Sequence, residues 1–466
     1  MLKGQAGPLL LVFLAACFRL CASLQAPGQP LGALLRRDNL SAQALLQHHN
    51  STESLRAAAI AATGQPLRPA PVLAFVTPWN SRGYDLAKQH RCRLMYVVPV
   101  WYQLRSVGGV LQLNGAHDVD VGWMSAVRQP CVAADGQKHV VRVLPRVLFE
   151  VHGQDVQEAF SQPHAVAKLL ATEAERHGFD GWVFEGWSHF VSLGVTKHPG
   201  SRQLALNLLQ SIFSGLVSHG RRLVLAVSPL VPAPGRPLQL TAQDVQDFLP
   251  FVDALTVMTY DFSGFSKAGP NAPLDWVQQN ADAFAAAAGR LRSKVLLGVP
   301  FYGYSYVLKG KRVQSADAVL AGTLLDVLKQ QLAVAAAQEA AARGSEEEQA
   351  QRQCSEEQEE DSEGDEAEGG RAGSCAASPA SSGSSSSSSL RISWLDVERE
   401  HVFRWRDAAG SGGTQQQAKP SKGAKHALYF PTPVMLAERL AVAASHGMGV
   451  SVWELGQGFD SFCSLL

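Results

Sequence analysis

Apolar runs of strand length alternate with amphipathic segments through most of the chain. The runs are rich in Val, Leu and Ile and lie at 71–79, 93–101, 139–150, 180–186, 222–229, 253–261, 294–303 and 449–455. Segments with helical periodicity lie between them at 154–177, 202–219, 241–249, 273–290 and 432–446. Such runs are nearly continuous in apolar residues when both faces of a parallel sheet are covered by protein. The pattern therefore predicts an α/β fold.

Eight strand–helix units predict a (β/α)8 TIM barrel over residues 70–466. An open, doubly wound parallel sheet is the alternative for the same order of elements. The glycine-rich fingerprint of dinucleotide-binding sheets is missing, which disfavours that alternative.

Two segments between the predicted seventh and eighth strands do not follow the repeat. Residues 332–390 are first Ala-rich, then Glu-rich, and end in a serine run, a composition that predicts a disordered insertion. Residues 391–405 and 425–433 alternate like two antiparallel strands, which predicts a small antiparallel element. The Gly- and Gln-rich residues 406–424 between them indicate a flexible loop.

The first 69 residues predict a targeting segment and a leader. Residues 1–23 combine Lys3, an apolar run and small residues, as in a secretory signal peptide; an uncleaved anchor is the alternative. Residues 24–69 indicate a mobile or loosely helical leader. Asn39 and Asn50 each begin an N-glycosylation sequon. Together these features predict a secreted protein or one in the lumen of the endomembrane or lysosomal system, with no membrane span beyond the signal segment.

Charge and cysteine content exclude several classes of function. Lys+Arg and Asp+Glu both number 41, so nothing favours a nucleic-acid partner. Seven cysteines occur without a CxxC motif or a Cys/His cluster, and no metal site or cofactor is predicted. Cys354 and Cys375 flank the acidic run and are candidates for a disulfide. An odd number of cysteines remains after the signal segment, so we do not expect disulfides to hold the fold.

Function in barrels of this type lies at the carboxyl ends of the strands. The residues at the predicted ends are mostly aromatic or acidic: Trp79, Trp101, Glu150, Glu185, Trp187, Tyr260, Asp261, Tyr302 and Trp453. Sugars stack on aromatic rings and donate hydroxyl hydrogen bonds to acids. A single tryptophan is more often part of the core, but several at one rim predict an oligosaccharide ligand.

The stretch GFDGWVFEGW at 178–187 places an acid in an apolar strand. Side chains alternate along a strand, so we expect Val183, Glu185 and Trp187 to share one face. A carboxylate in such company costs free energy unless it is paired or hydrogen-bonded. Glu185 is therefore either a satisfied acid of the barrel core or part of the ligand site.

This stretch resembles the catalytic strand of the family 18 glycoside hydrolases (chitinases), D-G-x-D-x-D-x-E. Asp180 and Gly181 match, Val183 and Glu185 replace the second and third Asp, and Trp187 stands at the proton-donating Glu. VMTYD (257–261) resembles the sixth strand of the family, in which Tyr and Asp contact sugar.

Further strings strengthen the resemblance. GVPFYG (298–303) is similar to the seventh strand of the family, and Trp453 lies where the family has the tryptophan floor of the site. VTPWNSRGYD (76–85), GPNAPLDWV (269–277) and VSVWELGQGFDSF (450–462) resemble the chitinase-domain-containing, or stabilin-interacting, subgroup.

The resemblance implies a chitinase-like protein without a proton donor. Family 18 enzymes use the N-acetyl group of the substrate as nucleophile, so one acid must protonate the leaving oxygen. Trp187 has no such proton, and Glu185 lies about 6–7 Å deeper along the strand. We expect a non-catalytic protein that binds chitin oligosaccharides, with a secretory-pathway or endosomal receptor as a further partner. The alternatives are a hydrolase with a displaced acid, Glu150 or Asp261, and a protein-interaction scaffold.

Overall fold

Eight parallel strands form a closed barrel in the computed structural model, which describes residues 40–64, 71–133, 136–153, 155–360, 390–407 and 423–466. The strands are Val72–Val76, Tyr96–Pro99, Arg142–Val143 continued by Arg146–Phe149, Gly181–Glu185, Arg222–Val227, Ala254–Val257, Val295–Pro300 and Gly449–Trp453. Each lies within a predicted run, and neighbouring strands pair in parallel. The predicted barrel is confirmed.

The third strand is interrupted, yet it still closes the barrel. The Leu144 N–H donates to the carbonyl of Val97 in the second strand at 3.0 Å. The next carbonyl, of Pro145, accepts from the N–H of Val183 in the fourth strand at 3.0 Å. Pro145 has no N–H of its own, which explains why the regular ladder breaks there.

Helices cover the outside of the barrel. They are Ser81–Gln89, Val121–Val127, Asp155–Ser161, Pro163–His177, Trp187–Ser192, Pro199–Val217, Ala242–Phe248, Leu274–Ala288 and Pro433–Ser445. The segment predicted as one helix at 154–177 is two helices, because Pro163 begins the second. No helix in the described ranges is long and apolar enough to cross a membrane.

Two apolar cores lie on the two faces of the barrel. The interior is filled by side chains that alternate along the strands, including Leu73, Val98, Val183, Val224 and Leu296. A larger cluster lies between the sheet and the helices. Gly181 begins the fourth strand with φ +151°, and a Cβ there would lie 2.0 Å from the carbonyl oxygen of Arg222. Only a glycine allows the two strands to approach this closely.

The small antiparallel element has five strands, whereas the sequence predicts two. Its order is Arg312–Val319, Gly303–Lys309, Lys425–Tyr429, Glu400–Arg406 and Arg391–Leu395. The segment predicted as one strand at 391–405 is a hairpin that turns at residues 396–399. Most of the predicted 406–424 loop lies outside the described residues.

The disorder predicted for residues 332–390 is wrong for the first part of the insertion. Ala321–Glu360 forms one helix, with Leu324 and Leu328 buried and residues 336–352 exposed. Ala, Glu, Gln and Arg all favour helix, so this composition forms backbone hydrogen bonds without burying side chains. Residues 361–389 and the suggested Cys354–Cys375 pairing lie outside the described part.

The leader forms two helices where the structure describes it. They are Ala42–His48 and Thr52–Thr63, and each begins at a serine whose hydroxyl accepts a backbone N–H. Leu45 and Leu55 are buried in the outer core, so this part of the leader packs against the barrel. The predicted signal segment and Asn39 lie outside the described residues. A disulfide that the sequence did not suggest joins Cys92 to Cys131.

Candidate functional site

Trp453 ends the eighth strand at the mouth of the barrel. Its ring lies 5.0 Å from the ring of Phe75, on top of the interior core. The same tryptophan contacts a cluster of tyrosines where the barrel meets the small sheet. Trp453 is only partly buried, so it forms an aromatic surface that a ligand in the mouth can reach.

Asp261 follows the sixth strand and accepts hydrogen bonds from two phenols. One comes from Tyr302, and the other from Tyr304 at 2.5 Å. The Tyr260 ring lies 6.3 Å from the Tyr302 ring. Burial raises the pKa of Tyr260 and of Tyr302 well above the ordinary value, and the Asp261 charge adds to both shifts. The phenols therefore remain neutral hydrogen-bond donors.

Glu185 ends the fourth strand and forms an ion pair inside the mouth. Its Oε2 lies 2.6 Å from Nε of Arg146 in the third strand. The side chains are 25% and 13% exposed, respectively. Glu185 and Arg146 each lie two residues after an inward-facing residue, Val183 and Leu144, and so also face the barrel interior. The Glu185 charge raises the pKa of Tyr260, and the Arg146 charge lowers it. Both alternatives that the sequence left open for Glu185 therefore hold. Its carboxylate is hydrogen-bonded to Arg146, and it also borders the mouth.

The positions predicted for Trp187 and Trp101 at the mouth are wrong. Trp187 begins a helix directly after Gly186, so strand alternation ends before it. Its ring is 3% exposed and packs 4.7 Å from the ring of Phe248, outside the barrel. Trp101 lies four residues after Val97 and, like Val97, packs in the core outside the barrel. Its Nε1 donates to the Tyr84 hydroxyl at 2.7 Å. Neither ring can stack on a ligand in the mouth.

The other predicted site residues lie at the rim or on the surface. The Glu150 carboxylate accepts a hydrogen bond from Nε of Arg105 at 2.7 Å. Trp79 follows the first strand and is 70% exposed. Asn50 is exposed, as an acceptor of glycan must be. Within the described residues, no three His, Cys, Asp or Glu side chains are grouped as a metal site.

The chain matches the family Glycosyl hydrolases family 18 over residues 144–458, which is more than half of its length. It belongs to this family. Solved structures agree on the fold. A chitinase from Chromobacterium violaceum is 15% identical, with TM-score 0.53, 85% of this chain covered and 97% of that chain.

Two further structures have the same fold. The Bacillus cereus spore cortex-lytic enzyme SleL is 14% identical, with TM-score 0.56 and coverage of 86% and 74%. A class V chitinase mutant from Cycas revoluta, in complex with (GlcNAc)3, is 13% identical, with TM-score 0.53 and coverage of 85% and 99%. At these identities the likeness shows the fold alone.

The acids of the fourth strand of this family 18 chain lie at opposite ends of the barrel. Asp180 precedes the strand; its Oδ2 accepts from Arg128 at 2.6 Å and from the Val143 N–H at 2.8 Å. Asp180 therefore lies at the start of the strand, on the side opposite the mouth, and Glu185 is the acid of this strand at the mouth.

Sequence reasoning missed three residues at or beside the mouth. Arg146 pairs with Glu185, Tyr304 bonds Asp261, and Glu454 is a buried acid next to Trp453. Arg146 could have been found from the sequence, because the alternation Leu144, Arg146, Leu148 puts a cation on the inward face of the strand. Tyr304 and Glu454 meet their partners only in the tertiary structure.

Proposed function

We propose that this family 18 protein binds chito-oligosaccharides at the barrel mouth without hydrolysing them. The observation that carries the proposal is the pairing of Glu185 with Arg146. General acid catalysis needs a protonated acid within about 2.6–3.2 Å of the leaving oxygen. The Glu185 carboxylate is instead engaged by the Arg146 guanidinium, so it would have to leave this partner to contact a leaving oxygen.

The other acids of the mouth and rim are also occupied. Asp261 accepts from two tyrosines, and Glu150 is bonded to Arg105. Position 187 holds a tryptophan that packs outside the barrel. Proton donation to a bound sugar would require one of these acids to leave its partners.

The groups that remain in the mouth suit recognition of a neutral sugar. Trp453 supplies an aromatic face, and Tyr260, Tyr302 and Asp261 supply hydroxyl and carboxylate partners. Stacking and a few hydrogen bonds to hydroxyl groups typically leave an affinity in the micromolar-to-millimolar range.

The proposal includes a lumenal or secreted location. The Cys92–Cys131 disulfide suits an oxidising compartment, and Asn50 of the second sequon is exposed. A receptor protein of the same compartment is proposed as a second partner on the strength of the subgroup resemblance alone.

Calorimetric titration of the purified protein with triacetylchitotriose, together with an assay on chromogenic chito-oligosaccharides, tests the proposal. We expect binding and no turnover. Turnover that disappears in Glu150→Gln or Asp261→Asn would establish a hydrolase with a displaced acid. Absence of binding to every glycan of a broad array would favour the protein-interaction scaffold.

A further inference from the structure

We infer that Asn271 is a positioning residue that holds Asp261 in its ligand-binding geometry, and that the small antiparallel sheet supports the site through it. The inference rests on the proposed function, because Asp261 is one of the proposed sugar contacts. Asn271 belongs to the string GPNAPLDWV, for which the sequence suggested no role.

Asp261 has a backbone conformation that needs support. Its φ is +63°, in the left-handed region that residues other than glycine seldom adopt. Such residues persist when their surroundings over-determine the conformation. The strained backbone directs the carboxylate to Tyr302 and Tyr304, so its geometry and the two phenol hydrogen bonds depend on each other.

Asn271 supports the backbone of Asp261 through hydrogen bonds of its side chain and of its own backbone carbonyl. Its Oδ1 accepts the backbone N–H of Asp261 at 2.8 Å, and its Nδ2 donates to the carbonyl of Tyr302 at 3.0 Å. Its own carbonyl accepts the N–H of Phe262 at 3.0 Å. The side chain is 1% exposed, so water cannot replace these contacts. Asn271 therefore ties the end of the sixth strand to the end of the seventh.

The small sheet holds Asn271 in turn. Glu400, on a strand of that sheet, accepts the N–H of Asn271 at 3.1 Å and the N–H of Ala272 at 2.7 Å. Arg439 donates to the Ala272 carbonyl at 2.8 Å. Glu400 and Arg439 are both buried and lie 3.7 Å apart. A chain of buried contacts thus runs from the small sheet to the carboxylate in the mouth.

Asn271→Ala and a matched control separate positioning from general stability. Asn280 is an equally buried asparagine, and it bonds Val231 and Trp276 on the outer side of the barrel. Asn280→Ala should lower the melting temperature but retain wild-type affinity for triacetylchitotriose. Asn271→Ala should weaken binding tenfold or more. If it binds like the wild type, the inference is overturned.

A double-mutant cycle tests whether Asn271 acts through Asp261. In an Asp261→Ala background, Asn271→Ala should cause a much smaller loss of affinity, because the carboxylate that it positions is gone and only its hydrogen bond to the Tyr302 carbonyl remains. An undiminished loss in that background would overturn the inference and assign Asn271 an effect of its own.

Hydrogen exchange of the Asp261 amide tests the inference without a ligand. Exchange should be faster in Asn271→Ala but not in Asn280→Ala, and Asn271→Asp, which keeps the acceptor oxygen, should restore part of the protection. If the wild type binds no triacetylchitotriose, the proposed function fails while this measurement still decides the positioning role. Unchanged exchange in Asn271→Ala would overturn it.

Discussion

The side-chain amide of Asn80 donates a hydrogen bond to the buried carboxyl of Glu454, and this contact links the segments that follow the first and the last strand of the barrel. Asn80 follows the first strand and Glu454 follows the eighth, two strands that pair with each other. The backbone N–H of Gly456 donates to the same carboxyl at 3.2 Å. A Cβ at Gly83 would lie 2.8 Å from Glu454 Oε2, so the carboxyl also needs a glycine in the facing helix.

Glu454→Gln should reduce the dependence of stability on pH. Burial raises the pKa of Glu454 from 4.5 to about 7. The folded-state pKa lies above the unfolded one, so the stability from this group is complete below pH 4.5 and lost as pH rises through about 7. The loss amounts to about 3 kcal/mol. Chemical denaturation at pH 5 and pH 8 measures it.

The control for this prediction is Asp282→Asn, which changes a carboxylate on the surface. It should retain most of the wild-type difference between the two pH values. Equal pH dependence in wild type and Glu454→Gln would contradict the assignment of a buried, protonated acid at this position.

Trp453→Ala should weaken the binding of triacetylchitotriose by about 1–3 kcal/mol, because the aromatic face of the mouth is lost. The protein should stay folded, since the ring is only partly buried. Trp394, a partly buried tryptophan of the small sheet, provides the control, and Trp394→Ala should retain affinity. Calorimetry measures both, and normal binding by Trp453→Ala would exclude this tryptophan from the site.

No turnover of chromogenic chito-oligosaccharides is expected between pH 3 and pH 8. Trp187→Glu should not create activity, because the side chain at 187 is directed away from the mouth. It should instead lower the free energy of unfolding by about 3 kcal/mol or more, since a shorter, charged side chain replaces a buried aromatic ring. Val183 also leaves no acid at the position of the second Asp of the family pattern. Turnover by Trp187→Glu would show that the helix can turn this residue inward.

Breaking the pair of Glu185 and Arg146 should affect stability more than sugar binding. Glu185→Gln should cost about 1–3 kcal/mol, less than a fully buried pair, because both groups keep some contact with water. Arg146→Met should cost a similar amount, and the double variant less than the sum of both. Additive losses in denaturation experiments would mean that the two groups do not act as a pair.

Removing residues 341–389 should change the melting temperature by only about 1–2 °C. The described side chains after 340 in this helix are exposed, and Glu339 and Leu390 line one cavity of about 430 Å³, so the new ends are close. Leu328→Ala, in the buried part of the same helix, should cost about 2–4 kcal/mol. A large loss of stability from the deletion would show that the deleted segment makes stabilising contacts with the rest of the protein.

Much of the fold was predictable because its signals are local. Continuous apolar runs such as 222–229 gave strands at nearly the predicted bounds, since covering both sheet faces needs no distant information. The helix of Ala321–Glu360 differs from the predicted disorder for an equally local reason: Ala, Glu, Gln and Arg have high helix propensity even where little apolar surface is buried.

The site was predictable only in part. Trp453, Tyr260, Asp261 and Tyr302 meet at the mouth, as the strand ends indicated. Trp101 could have been excluded from the mouth on the sequence alone. Val98 and Val100 face the barrel interior, so Trp101, the next residue, faces outward. Trp187 could not, because its direction depends on where the strand gives way to a helix.

The sequence by itself determined the order of strands and helices and the family, through periodicity and motifs read over short distances. Only the tertiary structure decided which partner each acid of the mouth meets. Arg146 and Glu185 are 39 residues apart, and Asn271 and Glu400 are 129 apart. Barrel closure and the docking of the small sheet bring these groups together, and the resulting hydrogen bonds decide which acid is engaged by a cation and which is positioned for a ligand.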